Sequence, residues 1–354
     1  MNAPFVPAPV RTRLADPGDG PAIAAFLAGR ADATAFHDVR WLGAVERATG
    51  HRVHILLAEQ AGSLRAVLPL HEVHSPLFGR ALVSTGFGVG GGILADHAAD
   101  ADLLAKAVQE LAARLSCPTV ELRGGMLPQR DGWHIKQDSH AGFVTLLAGD
   151  DEAQLLAIPR KQRAEVRRGL GFALEVAVGS GPRERDWHYG VYAESVRNLG
   201  TPVFPRALFE AVMDGFGEDA DILIVMHEGA PVASVLSLYH GGAVMPYWGG
   251  GTWHARGLRA NDVMYYALMN HARRRGCDRF DFGRSKVDTG AFHFKRNWGF
   301  EPQPLAYATW TADGAEPRDV NPLSPRYQAR IALWRKLPLA IANRIGPLIA
   351  AGLA

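Results

Sequence analysis

Two stretches of the chain carry the same pattern of apolar and polar positions. Residues 55–70 (ILLAEQAGSLRAVLPL) and 222–237 (ILIVMHEGAPVASVLS) align at a constant offset of 167, each an apolar run broken by a turn at Gly62 or Gly229. Such runs around a glycine turn predict a hairpin in each place, over 53–73 with its turn at Ala61-Gly62-Ser63, and over 221–240. Farther on, Gly90–Gly92 align with Gly249–Gly251 at an offset of 159. Asp102, Ala107, Arg114 and Cys117 then align with Asp262, Ala267, Arg274 and Cys277 at 160. In the first copy Leu103, Leu104, Ala107, Val108, Leu111 and Leu115 recur at helical spacing and predict a helix over 100–115, ended by Ser116-Cys117-Pro118 and followed by a strand at 119–122. In the second, Asn261 reads as an N-cap and Gly276 as the residue just past the helix. The repeat is too long for a solenoid unit and predicts two copies of one small domain.

The remaining elements follow from local signals. A strand at 11–16 leads to Asp16-Pro17-Gly18-Asp19, a helix start, and a second helix surrounds Trp41, Leu42, Val45 and Ala48. Asp150-Asp151-Glu152 starts a helix that runs to Arg168 and is stopped by Gly169 and Gly171. A strand at 174–178, helices at 183–198 and 206–215, and a strand Phe280–Phe282 stopping at Gly283 complete the second copy. Helices, hairpin, helix, strand and final hairpin in each copy predict an α/β fold with α+β mixed sheets. The expected division is a flexible tail at 1–10, a first domain at 11–152, a basic inter-domain helix at 153–172, a second domain at 173–320 and a basic amphipathic tail at 321–354. In that last segment Ile331, Leu333, Trp334, Leu337, Ile341 and Ile345 interleave with Arg330, Arg335, Lys336 and Arg344, which suits a membrane surface and packing on its own domain equally.

Composition adds bounds. At 354 residues and 47% hydrophobic content the chain can bury two cores, and a formal charge of +2 neither requires nor excludes an anionic partner. The two cysteines, Cys117 and Cys277, occupy equivalent places and read as core thiols, not as a disulfide. No CxxC, HExxH or GxSxG occurs, and His71 and His74 lie on opposite faces of a strand, so neither a metal nor a serine-elbow chemistry is expected. The proline-rich start lacks an apolar signal core and no apolar stretch approaches ~20 residues, so a cytoplasmic protein is expected, peripheral at the inner face of the membrane if the tail docks there.

Residues 280–300 (FDFGRSKVDTGAFHFKRNWGF) are the densest site candidate: a strand end, a polar loop, then Lys295 and Arg296 before Trp298-Gly299-Phe300. Cations beside a strand end suit phosphate or carboxylate groups. Lys295 is the first candidate for stabilising negative charge, Asp281 a candidate base or orienting group, and Arg284, Ser285, Lys286 and Arg296 candidate substrate contacts. Arg160, Arg163 and Arg167 share one helix face and suit a phosphate-bearing ligand or plain solvation. Tyr247 and Trp248, beside Gly249–Gly251, read either as cleft lining or as core packing.

Phe280-Asp281-Phe282-Gly283, Phe294-Lys295 and Trp298-Gly299 resemble the C-terminal motif of the FemAB family of acyltransferases. IPRKQRAEVRRGLGFALEV (158–176) resembles that family's basic joining helix, and Gly86-Phe87-Gly88 with Gly90–Gly92 resembles its Phe-Gly-x-x-Gly-Gly loop, which brings in Phe87 and Gly88 as binding candidates. The similarity covers most of 11–310 and is nearest the branch associated with PEP-CTERM/exosortase and exopolysaccharide systems. It implies two tandem GNAT-like acyltransferase domains and transfer of an aminoacyl or acyl group to an amine of a cell-envelope precursor. It also implies a tRNA as a partner and no permanently bound cofactor, the donor being aminoacyl-tRNA or acyl-CoA. Two departures bear on this. In His254-Ala255-Arg256-Gly257-Leu258-Arg259-Ala260 only Gly257 is in frame with a CoA pyrophosphate loop, and no coiled-coil arm is present, which counts against peptidoglycan interpeptide synthesis. An acyl-CoA-dependent enzyme and a non-catalytic scaffold for an envelope glycan or partner protein are the alternatives. At the 167 offset Phe294-Lys295-Arg296 falls opposite Leu127-Pro128-Gln129, so the second copy is expected to carry the chemistry.

Overall fold

The structure, a computed structural model, describes residues 8–316 and 325–353. Most of the tail expected at 1–10, and the start of the one expected at 321–354, lie outside these residues. In chain order the elements are β1 (Arg11–Leu14), α1 (Gly20–Ala28), α2 (Val39–Thr49), β2 (Arg52–Gln60), β3 (Ser63–Ser75), β4 (Gly79–Ser84), β5 (Leu94–Ala95), α3 (Ala98–Arg114), β6 (Thr119–Arg123) and β7 (Trp133–Leu146). The second half continues with α4 (Asp151–Ala157), α5 (Arg160–Leu170), β8 (Leu174–Gly179), α6 (Pro182–Leu199), α7 (Arg206–Phe216), β9 (Ala220–His227), β10 (Ala230–His240) and β11 (Ala243–Gly251). It ends with α8 (Ala255–Leu258), α9 (Ala260–Arg274), β12 (Arg279–Lys286), α10 (Gly290–Asn297), β13 (Pro302–Thr311), α11 (Pro325–Trp334) and α12 (Leu339–Ala350).

The chain divides into two units, one running to Gln137 and resuming at Ala306, the other running from Asp138 to Leu305 and including the C-terminal helices. In the first, strands lie in the order β1-β2-β3-β4-β6-β13, with β5 on β3. In the second the order is β7-β12-β11-β10-β9-β8. These units differ from the expected division at 152 and 320. From Asp138 onward β7 belongs to the second unit, where it pairs with β12, and from Ala306 onward β13 belongs to the first, where Tyr307 pairs with Arg123. A strand's place is set by the ladder it completes, which the order of elements along the chain does not specify.

The repeat is visible in backbone detail. Ala61-Gly62 (φ 50° and 83°) and Glu228-Gly229 (φ 52° and 76°) both turn with two left-handed residues, the geometry that matches strand twist in a two-residue hairpin. Helices α3 and α9 end alike: the Cys117 N–H donates to the Ala112 carbonyl at 2.9 Å and the Cys277 N–H to the Ala272 carbonyl at 3.0 Å, beyond a left-handed Ser116 or Gly276. Each helix buries one stripe, Leu104, Ala107, Val108 and Leu111 in α3 and Val263, Met264, Leu268 and Ala272 in α9, while Leu103 stays at the exposed margin. Cys117 is buried and Cys277 half-buried, both as free thiols.

Two local expectations are corrected. The single helix expected over 150–168 is two, because Pro159 cannot continue a helix and forces Ile158 into extended backbone (ψ 132°). Asn261 is not the N-cap of α9: Arg259 is (φ 55°), since the short α8 turns the chain early and places Asn261 inside the first turn.

His71 is fully buried and His74 exposed. His71 joins helix α2 to a loop of the first unit: its Nδ1 accepts from the Gly86 N–H at 3.0 Å, which leaves Nε2 to donate to the Leu42 carbonyl at 3.2 Å. Burial pushes its pKa down to about 4. The unfolded chain therefore binds the extra proton first, and the stability His71 supplies is present above about pH 6.5 and lost as pH falls toward 4. We expect His71→Leu to remove about 2 kcal/mol of the stability difference between pH 7 and pH 5, read by urea denaturation at both values. An unchanged difference would show that His71 does not titrate on unfolding.

Candidate active site in the second unit

The second unit opens between two neighbouring strands. β11 and β12 run parallel, but they pair only at Ala243–Arg279 and Val244–Phe280. Beyond those pairs β11 continues to Gly251 with β10, while β12 continues to Lys286 with β7. The equivalent strands of the first unit, β4 and β6, stay paired over four residues, Ala81–Ser84 with Thr119–Leu122. Both strands that part in the second unit are bulged. In β11 Leu236 faces Trp248 and Ser237 faces Pro246, so Tyr247 is the extra residue. In β12 Asp281 faces Val144 and Arg284 faces Gly142, so Phe282 and Gly283 together oppose Phe143. Gly283 (φ 66°) does not end the strand, as its position suggested; it is the left-handed residue of the bulge, and β12 runs on to Lys286.

The bulge and the following turn set the candidate residues. Asp281 accepts from the Gly283 N–H at 2.8 Å. Thr289 caps α10 by accepting from the Phe292 N–H and anchors it by donating to the Lys286 carbonyl at 2.7 Å. This helix buries Phe292 and Lys295 on one side and exposes Arg296, about 100° farther round. The Lys295 ammonium donates to the Arg284 carbonyl at 2.9 Å and lies 5.4 Å from the Phe143 ring centre and 5.5 Å from that of Phe282. Aromatic faces are electron-rich and partly replace its lost hydration.

Burial nevertheless dominates and lowers the Lys295 pKa to about 8; the charge of Asp281 acts in the opposite sense, and Arg284 adds to the lowering. The Asp281 carboxyl is pushed up by burial, against the Gly283 N–H and the Lys295 charge. The two groups therefore move toward each other, an arrangement frequent where protons or developing charges are handled. Ser285 is buried with no hydrogen-bond partner for its hydroxyl, while Arg284 and Lys286 are partly exposed.

Asp281, Arg284, Ser285, Lys286 and Lys295 thus gather on β12 and α10, with Tyr247 and Trp248 on the strand that parts from them. Trp248 is buried against Phe209 with ring centres 4.5 Å apart, as core packing predicts. A side chain on Gly250 or Gly251 would collide with Ser195 or Asn261, so these glycines admit the protein's own neighbours. On α5, Arg160 and Arg167 are exposed and Arg163 donates to the Leu156 carbonyl at 2.9 Å. The opposite face of α5 packs on α9 through Val166, Gly169 and a 2.6 Å bond from Gln162 to Asp262.

Phe87 and Gly88 belong to the first unit, in a loop held by Arg123, whose guanidinium donates to the Thr85 and Gly88 carbonyls at 3.2 and 2.8 Å. At the repeat's offset of 160, Arg123 stands where the second unit has Gly283. The first unit spends the position on a buried arginine that closes its loop, and the second uses it to bulge a strand. Sequence reading missed Phe143, which enters from the other half of the chain and carries no local signal. Glycine inside a strand pattern was the available signal for the Gly283 bulge.

Comparison with known proteins matches this architecture. Residues 157–296 match the family model of an acetyltransferase (GNAT) domain. The chain has a tandem GNAT fold. It is similar to FemX, with 14% identity, coverage of 82% of this chain and 95% of that one, and a TM-score of 0.65. It is similar to a tandem GNAT protein from the clavulanic acid biosynthesis pathway (15% identity, 87% and 100% covered, TM-score 0.57). It is also similar to the C-terminal domain of a proposed lysylphosphatidylglycerol synthetase from Agrobacterium fabrum (16%, 82% and 91%, TM-score 0.55). No curated protein matches in sequence.

A buried ammonium with a lowered pKa opposes folding: the unfolded chain holds the proton more tightly between pH 8 and 10.5, so stability rises with pH across that window, and the penalty is fully present below it. We expect Lys295→Met to leave stability at pH 7 within about 1 kcal/mol of the parent or above it, and to abolish the rise, as measured by urea denaturation at pH 7 and pH 10. Strong destabilisation at pH 7 would make Lys295 a structural residue.

Proposed function

We propose that the protein is a FemAB-like N-acyltransferase that moves an aminoacyl or acyl group to an amine of a cell-envelope or exopolysaccharide precursor. The observation that carries this reading is the Lys295 ammonium, which α10 buries against bulged β12 beyond the point where β11 departs. The amine nitrogen attacks the acyl carbonyl carbon and forms the C–N bond. The ester C–O bond of an aminoacyl-tRNA, or the thioester C–S bond of an acyl-CoA, breaks, and the proton leaving the amine passes to the departing oxygen or sulfur. Charge that gathers on the carbonyl oxygen or on neighbouring phosphates is stabilised by Lys295, in a site where water screens little. Asp281, with its pKa raised by burial, receives or orients the amine proton.

The start of α9 favours the aminoacyl donor over CoA. Its first turn carries Asp262, half-buried and hydrogen-bonded to Gln162, and Arg259 beside it is paired with Glu165. A carboxyl there opposes a pyrophosphate that backbone N–H groups would otherwise attract. The exposed Arg160 and Arg167 offer phosphate contacts to a tRNA or a nucleotide-linked acceptor. The acyl-CoA reading draws on the GNAT domain match at 157–296.

Turnover is expected with aminoacyl-tRNA and an amine-bearing envelope precursor, and Lys295→Met should lower kcat about 10²-fold or more with KM little changed. Because the charged form acts, kcat should fall as pH rises through about 8. Retained turnover in the variant would remove Lys295 from the mechanism. Saturable CoA binding with acyl-CoA turnover would transfer the assignment to the second donor.

A further inference from the structure

We propose that the two C-terminal helices form a docking surface for an anionic lipid bilayer. α12 is held by small residues: Ala342, Gly346 and Ala350 are buried at i, i+4 and i+8, and a side chain on Gly346 would come within 3.1 Å of Val203. α11 docks beside it, with Gly200 against Ile331 and the Arg335 guanidinium donating to the Leu199 carbonyl at 3.1 Å. Close approach through small residues fixes which way each helix faces, and the other sides carry large apolar groups into solvent. Leu348 is 79% exposed, Leu333 67%, Ile341 48% and Ile345 37%.

Charge selects what covers this face. From Asn321 to the end the chain contains five basic residues, Arg326, Arg330, Arg335, Lys336 and Arg344, and no aspartate or glutamate. Arg344 lies on the exposed half of α12 beside Ile341, Ile345 and Leu348, and Lys336 is exposed just past the end of α11. Exposed apolar side chains on a segment whose own charges are all cationic match a negatively charged interface with hydrocarbon beneath it. No described helix is long and apolar enough to cross a membrane, so the helices lie on the surface. The acceptor of the proposed reaction would then be met at the bilayer, but the surface itself does not depend on which acyl group is transferred.

The full chain should co-sediment with vesicles of phosphatidylcholine and phosphatidylglycerol and not with phosphatidylcholine alone, and the binding should weaken with added salt. Lys336→Glu with Arg344→Glu should lower the partition coefficient at least tenfold, and Ile341→Asn with Leu348→Asn should do so as well, with the thermal melt unchanged in both. Equal binding to both vesicle types, or binding indifferent to either pair of substitutions, overturns the proposal. So does a dimer in sedimentation equilibrium that Leu348→Asn dissolves, which would make the face a contact between copies. None of these readouts uses acyl transfer, so their failure leaves the enzymatic reading standing.

Discussion

Everything distinctive in the second unit depends on a parallel ladder that stops after two residue pairs. A paired strand satisfies its backbone groups and presents side chains only to the faces of the sheet. Once β11 and β12 part, that constraint lapses. The bulges at Tyr247 and at Phe282-Gly283 re-aim the strands, and α10 brings Lys295 down onto the β12 and β7 rings. The ammonium is held by one carbonyl and two aromatic faces, enough to keep it in place but not to offset its lost hydration. A lysine poised near neutrality results from that imbalance.

The first unit shows the same fold without the opening. Its parallel ladder runs four pairs, and Arg123 closes the adjoining loop through the Thr85 and Gly88 carbonyls. A buried guanidinium is tolerated there because it meets backbone acceptors and Glu121. Where the second unit has Gly283, the space beside the backbone is open, and it is the left-handed φ of 66° that favours glycine. Duplicated domains thus diverge at one register position: one copy invests it in loop closure, the other in a strand that can bend.

Much of this was legible locally. The hairpins at Gly62 and Gly229, the helices before Cys117 and Cys277, and the strands starting at 119 and 280 follow from apolar period and turn chemistry, which act over a few residues. Lys295 and Asp281 were legible as candidates because cations beside a strand end suit phosphate or carboxylate groups and because Phe280-Asp281-Phe282-Gly283 and Phe294-Lys295 resemble a FemAB motif. The misreadings have two causes. The break at Pro159 was a local signal that the assignment of one helix passed over, whereas Asn261 and Gly283 were weighed by type and take their roles from the short helix α8 and from Phe143 across the ladder.

By itself the sequence determined that the chain is a duplication, which hairpins and helices each copy contains, and that cations gather in the second. Those are properties of period, spacing and residue type, and short-range sterics enforce them. Tertiary structure decided the rest: that β7 and β13 complete the unit other than the one their place in the chain suggests, that β11 and β12 separate, that Lys295 is buried while Arg296 is not, and that α12 turns Ala342, Gly346 and Ala350 inward. Strand partners and burial are chosen by contacts between residues far apart in the chain, and their free energy exists only once both partners are in place.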